Sequence, residues 1–290
     1  MKQFTPDEIR AVVEQSGRAG YIDIPADEYH AMTDFSSNSM LRRMKLSAAK
    51  YRLSLQQTSR SSPAQSLGTA IHMALLEPEL FDKTYAIMPR FDRRTKDGKA
   101  KAEEWELAYK GRTAISQDDM DVIHKLHQKV FDDDFYQQFF SKGAKESSFF
   151  AIDEKTGMKV RCRCDNMLEE KNIIVDLKTT DCADEYVFNS DITKYGYLTQ
   201  GAFYMDVVHA ATGVRPDAFV IIAVEKTNDC DMNAFYFDDE ALEVGRRQYR
   251  QWLERLQSCV VSNNWPGYER KFIKYRMPAW QRDMFLEESF

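Results

Sequence analysis

The sequence lacks the features of a secreted or membrane-spanning protein. No run approaches the roughly 20 consecutive apolar residues that cross a bilayer, and the first residues, MKQFTPDEIRAVVEQSG, contain no apolar core of the signal-peptide kind. The five cysteines are an odd number and include no C-x2-C pair, which argues against a disulfide framework, a zinc site or an iron–sulfur cluster. We therefore expect a cytoplasmic protein with reduced thiols and no membrane partner.

Internal repeats and long low-complexity linkers are also absent. With 290 residues, an apolar fraction of 43% and a charged fraction of 30%, the composition is that of an ordinary globular protein. We expect a single domain over residues 1–290. Its parts are a mainly helical N-terminal portion (1–135), a core of strands and helices (136–265) and a C-terminal tail (266–290).

Hydrophobic spacing and turn residues predict the order of elements. Residues 1–35 read as an N-terminal arm with one short helix, and Pro89–Lys99 reads as a basic loop that is disordered or a mobile lid. Helices are expected at Pro6–Gln15, from Ser36 or Ser37 to about Leu55, and at Gln65–Phe81, Ala102–Tyr109, Ser116–Phe131, Tyr197–Ala211 and Asp239–Val261. Strands are expected at Glu146–Ile152, Met158–Met167, Asn172–Lys178, Ala218–Glu225 and Asn233–Phe237. This order predicts an α/β fold in which helices flank a mixed central sheet, with a helical elaboration before it.

The most informative stretch is Val160–Thr180, VRCRCDNMLEEKNIIVDLKTT. Asp165 ends one predicted strand, and Asp176-x-Lys178 ends the next, with a short turn between them. Because side chains alternate along a strand, Asp176 and Lys178 share one face. If the two strands pair antiparallel, both carboxylates converge beside one lysine. Two oxygen ligands beside a lysine suit Mg²⁺ and phosphodiester hydrolysis; an ordinary salt bridge at a strand end is the alternative.

Three residues outside this stretch are further candidates for the same site. His72 lies on a predicted helix and Glu146 begins the first of the predicted strands. Each has an ordinary alternative as a packed or solvated residue. Glu77 follows His72 by five residues, about 140° around a helix, so the two share a face only if the helix is distorted.

Two polar pairs complete the set of candidates. Gln200 and Tyr204 lie four residues apart and share a helix face, from which they could hydrogen-bond a phosphate or orient the lysine; ordinary helix packing is the alternative. Arg161 and Arg163 have the strand parity of Asp165. We expect these arginines to contact DNA phosphates or to balance the carboxylates.

The net charge of −6 is unfavourable for a protein that grips phosphates. The positive charge is nevertheless clustered, and each cluster alone is typical of a solvated face. Together with an acidic metal centre, three clusters would form a phosphate track: Arg42, Arg43, Lys45, Lys50 and Arg52; Arg90, Arg93, Arg94, Lys96, Lys99 and Lys101; and Arg270, Lys271, Lys274 and Arg276.

The motifs together resemble the RecB-like branch of the PD-(D/E)xK nucleases. The resemblance rests on four short motifs in the right order: G-T-x-x-H at Gly68–His72, Asp165, Asp176-Leu177-Lys178-Thr179, and Q-x-x-x-Y at Gln200–Tyr204. Within that branch the chain looks most like the C-terminal nuclease domain of RecE-type exonucleases of phages and prophages. The stretches Ser37–Tyr51 and Gly68–Phe81 resemble that subfamily as well, and the resemblance covers about residues 21–265.

This resemblance implies an enzyme and its site. It implies a Mg²⁺-dependent exonuclease, with Mn²⁺ as a substitute, that degrades one strand of linear double-stranded DNA 5′ to 3′. The 3′ overhang would serve an annealing protein of RecT type, and related enzymes form homo-oligomeric rings around DNA. The implied metal ligands are His72, Asp165, Asp176 and the Leu177 carbonyl, the implied catalytic lysine is Lys178, and Gln200 and Tyr204 support the site.

Two other functions stay open from the sequence. A structure-specific endonuclease would use the same centre, but it would also cut covalently closed circular DNA. A non-catalytic module that binds DNA ends in recombination would keep the fold without the chemistry. The intact Asp/Asp/Lys set argues against the second alternative.

Overall fold

The structure is a computed structural model that describes residues 4–56, 63–227 and 229–278. Its strands are β1 (Arg18–Ile22), β2 (Tyr85–Ile87), β3 (Thr113–Ile115), β4 (Ala144–Ile152), β5 (Lys159–Leu168), β6 (Ile173–Thr180), β7 (Ala218–Glu225) and β8 (Met232–Tyr236). Its helices are α1 (Pro6–Ser16), α2 (Ala26–Ala31), α3 (Asn38–Leu46), α4 (Ala48–Ser54), α5 (Pro63–Leu76), α6 (Pro78–Thr84), α7 (Lys96–Ala108), α8 (Gln117–Asp132), α9 (Asp134–Gln137), α10 (Glu185–Tyr195), α11 (Tyr197–Thr212) and α12 (Asp239–Ser262).

Six of these strands form a mixed sheet in the order β1-β4-β5-β6-β7-β8. β6 and β7 run parallel, and every other neighbouring pair is antiparallel. A parallel pair requires a crossover connection, which α10 and α11 supply. Successive residues of the sheet enter two different cores: Ile174 and Ile221 pack toward α11 and α12, whereas Leu177 and Ile222 pack toward α5 and α8. The predicted fold class, a mixed sheet flanked by helices, is confirmed.

The first 35 residues are more than the predicted arm. β1 pairs antiparallel with β4, with Arg18 opposite Ala151, and so forms one edge of the sheet. α1 and α2 pack a third core cluster that includes Phe35 and Phe150. The prediction missed this strand because five residues, RAGYI, are too few for an alternating pattern to stand out.

Two predicted helices are each divided. The helix expected up to Leu55 breaks at Ser47, whose extended backbone (φ −171°, ψ 158°) lets its hydroxyl cap α4. The helix expected over Gln65–Phe81 breaks at Glu77, because the proline that follows disfavours helical geometry at the preceding residue. No helix within the described ranges is long and apolar enough to cross a membrane.

The segment expected to be a basic mobile loop, Pro89–Lys99, is partly helical. The Thr95 hydroxyl accepts a hydrogen bond from the Gly98 amide at 3.0 Å, so α7 begins at Lys96. Arginines 90, 93 and 94 form ion pairs with Asp118, Glu106 and Asp92, respectively. Because neighbouring carboxylates already balance these charges, the segment is a weaker candidate for a phosphate track than its sequence indicated. Residues 181–196, for which the sequence predicted no element, contain α10.

β5 and β6 separate part-way along their length. They pair from Leu168–Ile173 to Asn166–Val175, three residue pairs, whereas β6 and β7 pair over eight. Beyond the Asn166–Val175 pair the two strands diverge, and the sheet opens between them. The opening runs from Asp165 toward the start of β5 and from Asp176 toward the end of β6. Asp165 and Asp176 therefore lie inside their strands, at the point of divergence, and not at the strand ends that the sequence predicted.

Candidate active site

Asp165 and Asp176 face each other where β5 and β6 part. The last paired residues are Asn166 and Val175, so the next positions along the two strands are these two aspartates. Beyond them the Leu177 amide has lost a partner strand, and it donates to Asp165 Oδ2 at 2.7 Å instead. The side chain of Asp165 thus replaces a ladder hydrogen bond and is held at the edge of the gap.

Asp176 is almost completely buried, with 1% of its surface exposed. Its Oδ1 accepts a hydrogen bond from Gln200 Nε2 on α11 at 2.6 Å. Its Oδ2 forms an ion pair with Lys178 Nζ. The carboxylate is therefore fixed from two sides.

His72 reaches the gap from α5. Its Nδ1 lies 3.7 Å from Asp165 Oδ2. Burial, reinforced by the nearby Lys178 charge, lowers the pKa of His72 to about 3. The imidazole is therefore neutral at physiological pH, the form that binds metal ions.

Gly68 explains how α5 comes so close to the sheet. A Cβ atom at this position would lie 2.8 Å from Thr179 Oγ1 of β6, nearer than ordinary packing allows. Gly68, the first residue of the G-T-x-x-H motif, thus allows α5 to approach the sheet closely. His72, the last residue of the motif, lies one helical turn later and therefore reaches the site.

The charged groups of the site perturb one another. Burial raises the pKa of both carboxyls, and the Asp176 charge raises that of Asp165 further. For Asp176, the Lys178 ammonium and the Gln200 amide oppose the effect of burial. Burial lowers the pKa of Lys178, but the two carboxylates outweigh it and hold that pKa above its ordinary value. The single Lys178 charge therefore does not balance the two carboxylates. A divalent cation would supply the missing positive charge.

A cleft of 720 Å³ opens beside the site and is lined by Asp165 but not by Asp176 or Lys178. Its walls come from α2, α3, α5, β5 and the start of α11. His72, Asp165 and Gln200 line it directly, and so do Arg42 and Tyr197. The site is thus accessible to a ligand larger than a metal ion.

Comparison with known proteins identifies the family. The profile of a PDDEXK-like domain of unknown function, DUF3799, matches residues 37–274. The chain belongs to this PDDEXK-like family. It is also similar to the solved structure of a candidate exonuclease from Eubacterium rectale, with a TM-score of 0.57 and 15% identity, over 93% of this chain and 100% of that one. At this identity the likeness shows the fold, which is that of the PD-(D/E)xK nucleases. No curated protein matches the chain.

Among the other predicted site residues of this PDDEXK-like chain, Tyr204 and Glu146 also line the cleft. Tyr204 packs edge-on against Phe219 with ring centroids 6.1 Å apart. Glu146 lies opposite Asp165 on β4, in a left-handed backbone conformation (φ +49°) that few residues other than glycine adopt. Glu77 lies past the end of α5, where burial and the nearby Glu146 charge raise its pKa.

Arg161 and Arg163, expected to contact DNA phosphates or to balance the carboxylates, lie in different surroundings. Arg161 is 2% exposed and its guanidinium lies 4.4 Å from the Tyr29 ring centroid, with a hydrogen bond to the Tyr29 carbonyl. Arg163 borders the cleft, but its Nε donates to Glu146 Oε2 at 2.6 Å and its Nη1 to the Ile24 carbonyl at 2.8 Å. Arg161 therefore serves the core, and Arg163 balances a carboxylate.

The alternation of faces along β5 is interrupted near Asp165. Cys162 and Cys164 face the core beside α11, and so does Met167, which has the opposite parity. The alternation therefore shifts by one residue between Cys164 and Met167, opposite the left-handed Glu146. Arg163 and Asp165 nevertheless both line the cleft.

Sequence reasoning also missed Tyr197. Its ring centroid lies 5.2 Å from Lys178 Nζ, which makes it the nearest aromatic wall of the lysine among the described contacts. The signal was present in the spacing, because Tyr197 precedes Gln200 by three residues and shares its helix face. Its position as the first residue of α11, directly after Gly196, concealed the pattern.

The types of residue at the site are suitable ligands for a divalent metal. Proteins with this fold typically depend on one, and the site offers two carboxylates and a neutral imidazole. However, no three His, Cys, Asp or Glu side chains in the described ranges stand close enough together to hold a metal ion. Mg²⁺ commonly takes one or two carboxylates and completes its shell with waters and substrate phosphates. The Leu177 carbonyl, predicted as a further ligand, stays a prediction.

Proposed function

We propose that this chain is a divalent-metal-dependent exodeoxyribonuclease of RecE type, acting as a single nuclease domain. The observation that carries the proposal is the arrangement around Asp176: a buried carboxylate held by Gln200 and paired with Lys178, directly across the strand gap from Asp165. An ion pair that served stability alone would gain little from burial. A second carboxylate, a neutral histidine and an open cleft beside it support a hydrolytic site.

Each residue has a role in this proposal. Asp165 and Asp176 would hold Mg²⁺ or Mn²⁺, which would activate water and neutralise charge on the scissile phosphate, and His72 lies beside Asp165. Lys178 orients the attacking water and presents positive charge to the phosphate. Gln200 fixes the carboxylate plane of Asp176 through its 2.6 Å hydrogen bond. Tyr197 and Tyr204 shape the wall from which α11 faces the site.

The finer features of the proposal come from the motif resemblance. They are 5′-to-3′ degradation of one strand of linear duplex DNA, a 3′ overhang passed to an annealing protein of RecT type, and a homo-oligomeric ring. The description of the Eubacterium rectale protein as a candidate exonuclease is in keeping with exonuclease activity alone. A structure-specific endonuclease is the second candidate, because the same cleft would accept an internal phosphodiester.

Plasmid DNA in two forms tests the proposal. We expect the protein in Mg²⁺ to digest the linearised plasmid and to leave the covalently closed form intact. On a linear duplex labelled at one 5′ end or one 3′ end, the 5′ label should be released first. An Asp176→Asn preparation, purified in the same way, controls for contaminating nucleases. Cutting of the closed form would establish the endonuclease instead, and early release of the 3′ label would reverse the polarity.

A further inference from the structure

Two tyrosines form a short aromatic row that leads from solvent to Lys178. The ring centroids of Tyr195 and Tyr197 lie 5.9 Å apart at an interplanar angle of 31°. The Tyr197 centroid in turn lies 5.2 Å from Lys178 Nζ. Both tyrosines line the cleft, and the site proposed above leaves Tyr195 without a role.

The break between α10 and α11 creates this row. Residues two apart on a continuous helix point to different sides. Gly196 has a left-handed backbone (φ +69°) that ends α10 and begins α11, so the rings on either side of it come together. A Cβ at Gly196 would lie 3.1 Å from Arg42 Nε, which places a cationic side chain of the opposite wall beside the break.

Tyr195 is open to a ligand. The residue is 40% exposed, and the Lys194 ammonium, 4.8 Å from its ring centroid, belongs to an exposed, flexible side chain. Aromatic rings in sites that bind single-stranded nucleic acid stack on bases without regard to sequence. The two steps of 5.9 and 5.2 Å to Lys178 fit a span of one to three nucleotides, at about 3.4 Å per stacked nucleotide.

We propose that Tyr195 is a stacking platform for an unpaired base next to the scissile phosphate. The substrate of the cleft would then be a single strand, or a duplex end with its terminal nucleotides separated, in preference to an intact duplex. A base flat on Tyr195 cannot pair with its complement, so stacking stabilises the opened end while its phosphate lies at Lys178. This inference rests on the proposed nuclease function and names the form in which DNA enters.

Fluorescence of 2-aminopurine tests the stacking without cleavage. The probe is a single-stranded oligonucleotide with 2-aminopurine near its 5′ end, bound to the protein in Ca²⁺. We expect quenching with wild type and Tyr195→Phe, and loss of quenching with Tyr195→Ala and Tyr195→Leu, because leucine keeps apolar bulk without a π face. Tyr186→Ala is the matched control, since Tyr186 lies on the same helix, is 82% exposed and does not line the cleft.

Cleavage in Mg²⁺ gives the second readout. Replacing the base at the stacked position by an abasic site should lower the wild-type rate by about tenfold or more, the usual effect of one stacking contact. The same replacement should have little effect on Tyr195→Ala, which has already lost the contact. Equal sensitivity of both proteins to the abasic site, or quenching that survives in Tyr195→Ala or Tyr195→Leu, would overturn the inference.

The two proposals fail in different ways. Digestion of linear DNA without any 2-aminopurine quenching would leave the nuclease standing and remove the stacking platform. Absence of both digestion and quenching would remove the proposed nuclease and the platform together.

Discussion

At the residue scale, the negative charge of Asp165 lowers the stability of the metal-free protein. Its carboxyl is buried beside the Asp176 charge, and both effects raise its pKa above the ordinary value of 3.8. The folded state therefore favours the protonated form. That contribution to stability is complete below the ordinary pKa and is lost as the pH rises through the folded pKa. At neutral pH the ionised carboxylate destabilises the protein until a cation binds.

We accordingly expect Asp165→Asn to raise the melting temperature of the metal-free protein at pH 7. The amide keeps an oxygen to accept the Leu177 hydrogen bond and removes the charge. A gain of about 1 kcal/mol would appear as roughly 2–4 °C, measured by calorimetry in EDTA, and should vanish near pH 3. Asp176→Asn is the contrast: it leaves the Lys178 charge unpaired and should not stabilise. A fall in melting temperature with Asp165→Asn would contradict this reading.

Gln200 should act through the pKa of Asp176. Its amide hydrogen bond opposes the rise that burial causes, so Gln200→Leu should raise the Asp176 pKa further. The acidic limb of kcat/KM against pH should then move to higher pH, with a smaller change at the alkaline end. Gln257→Leu is the matched control, because Gln257 bonds the Thr156 carbonyl outside the site. If the acidic limb of kcat/KM stayed at the same pH in Gln200→Leu, Gln200 would have a packing role and no effect on the pKa of Asp176.

Much of the site could be predicted at this scale, for a physical reason. Asp165, Asp176 and Lys178 are placed by strand parity and one short turn, both of which are local properties of the sequence. The partner of Arg163 could not be predicted, because it is Glu146 of the neighbouring strand. No local pattern in the β5 sequence records that contact.

At the scale of elements, the approach of α5 to β6 determines where His72 lies. We expect Gly68→Ala to reduce cleavage and stability even though alanine favours helix formation by about 1 kcal/mol over glycine. The added Cβ meets Thr179 Oγ1 at 2.8 Å, and overpacking of this kind typically costs about 1–3 kcal/mol.

A second substitution makes that prediction specific. Thr179→Ala removes the clashing atom and should restore much of the stability and activity of Gly68→Ala. Gly20→Ala, whose Cβ would meet only the Ala211 carbonyl at 3.8 Å, is the matched control. The account would be wrong if Gly68→Ala behaved like the control, or if the double variant were no better than the single one.

The errors in the predicted elements also have physical causes. The strands around the site were found because their alternation and turns are strong, whereas β1 and the three-residue strands β2 and β3 were missed because they are short. The helix breaks at Ser47 and Glu77 each depend on one residue. Hydrophobic spacing is judged over a whole helix and does not reveal such a break. The close approach of α5 was not readable at all, because it depends on contact between distant parts of the chain.

At the scale of the whole molecule, which carries a net charge of −6, we expect metal binding and DNA binding to depend on each other. With no three-residue metal group in the described ranges, a cation should bind weakly to the free protein and more tightly when a phosphate completes its shell. We expect Ca²⁺ to bind about tenfold or more tightly in the presence of linear DNA, and DNA to gain by the same factor from Ca²⁺. Titration calorimetry with and without DNA measures both, and equal Ca²⁺ affinities would contradict the account.

The central claim is that Lys178 belongs to a hydrolytic centre and not to a structural ion pair. Single-turnover cleavage of a linear duplex in Mg²⁺ by Lys178→Gln tests it most directly, because glutamine keeps a donor for Asp176. Lys129→Ala, which loses a lysine–aspartate pair elsewhere on the molecule, is the control. We predict a loss of about 100-fold or more for Lys178→Gln, with DNA binding in Ca²⁺ retained and the control unaffected. Cleavage by Lys178→Gln within a few fold of wild type would contradict the claim.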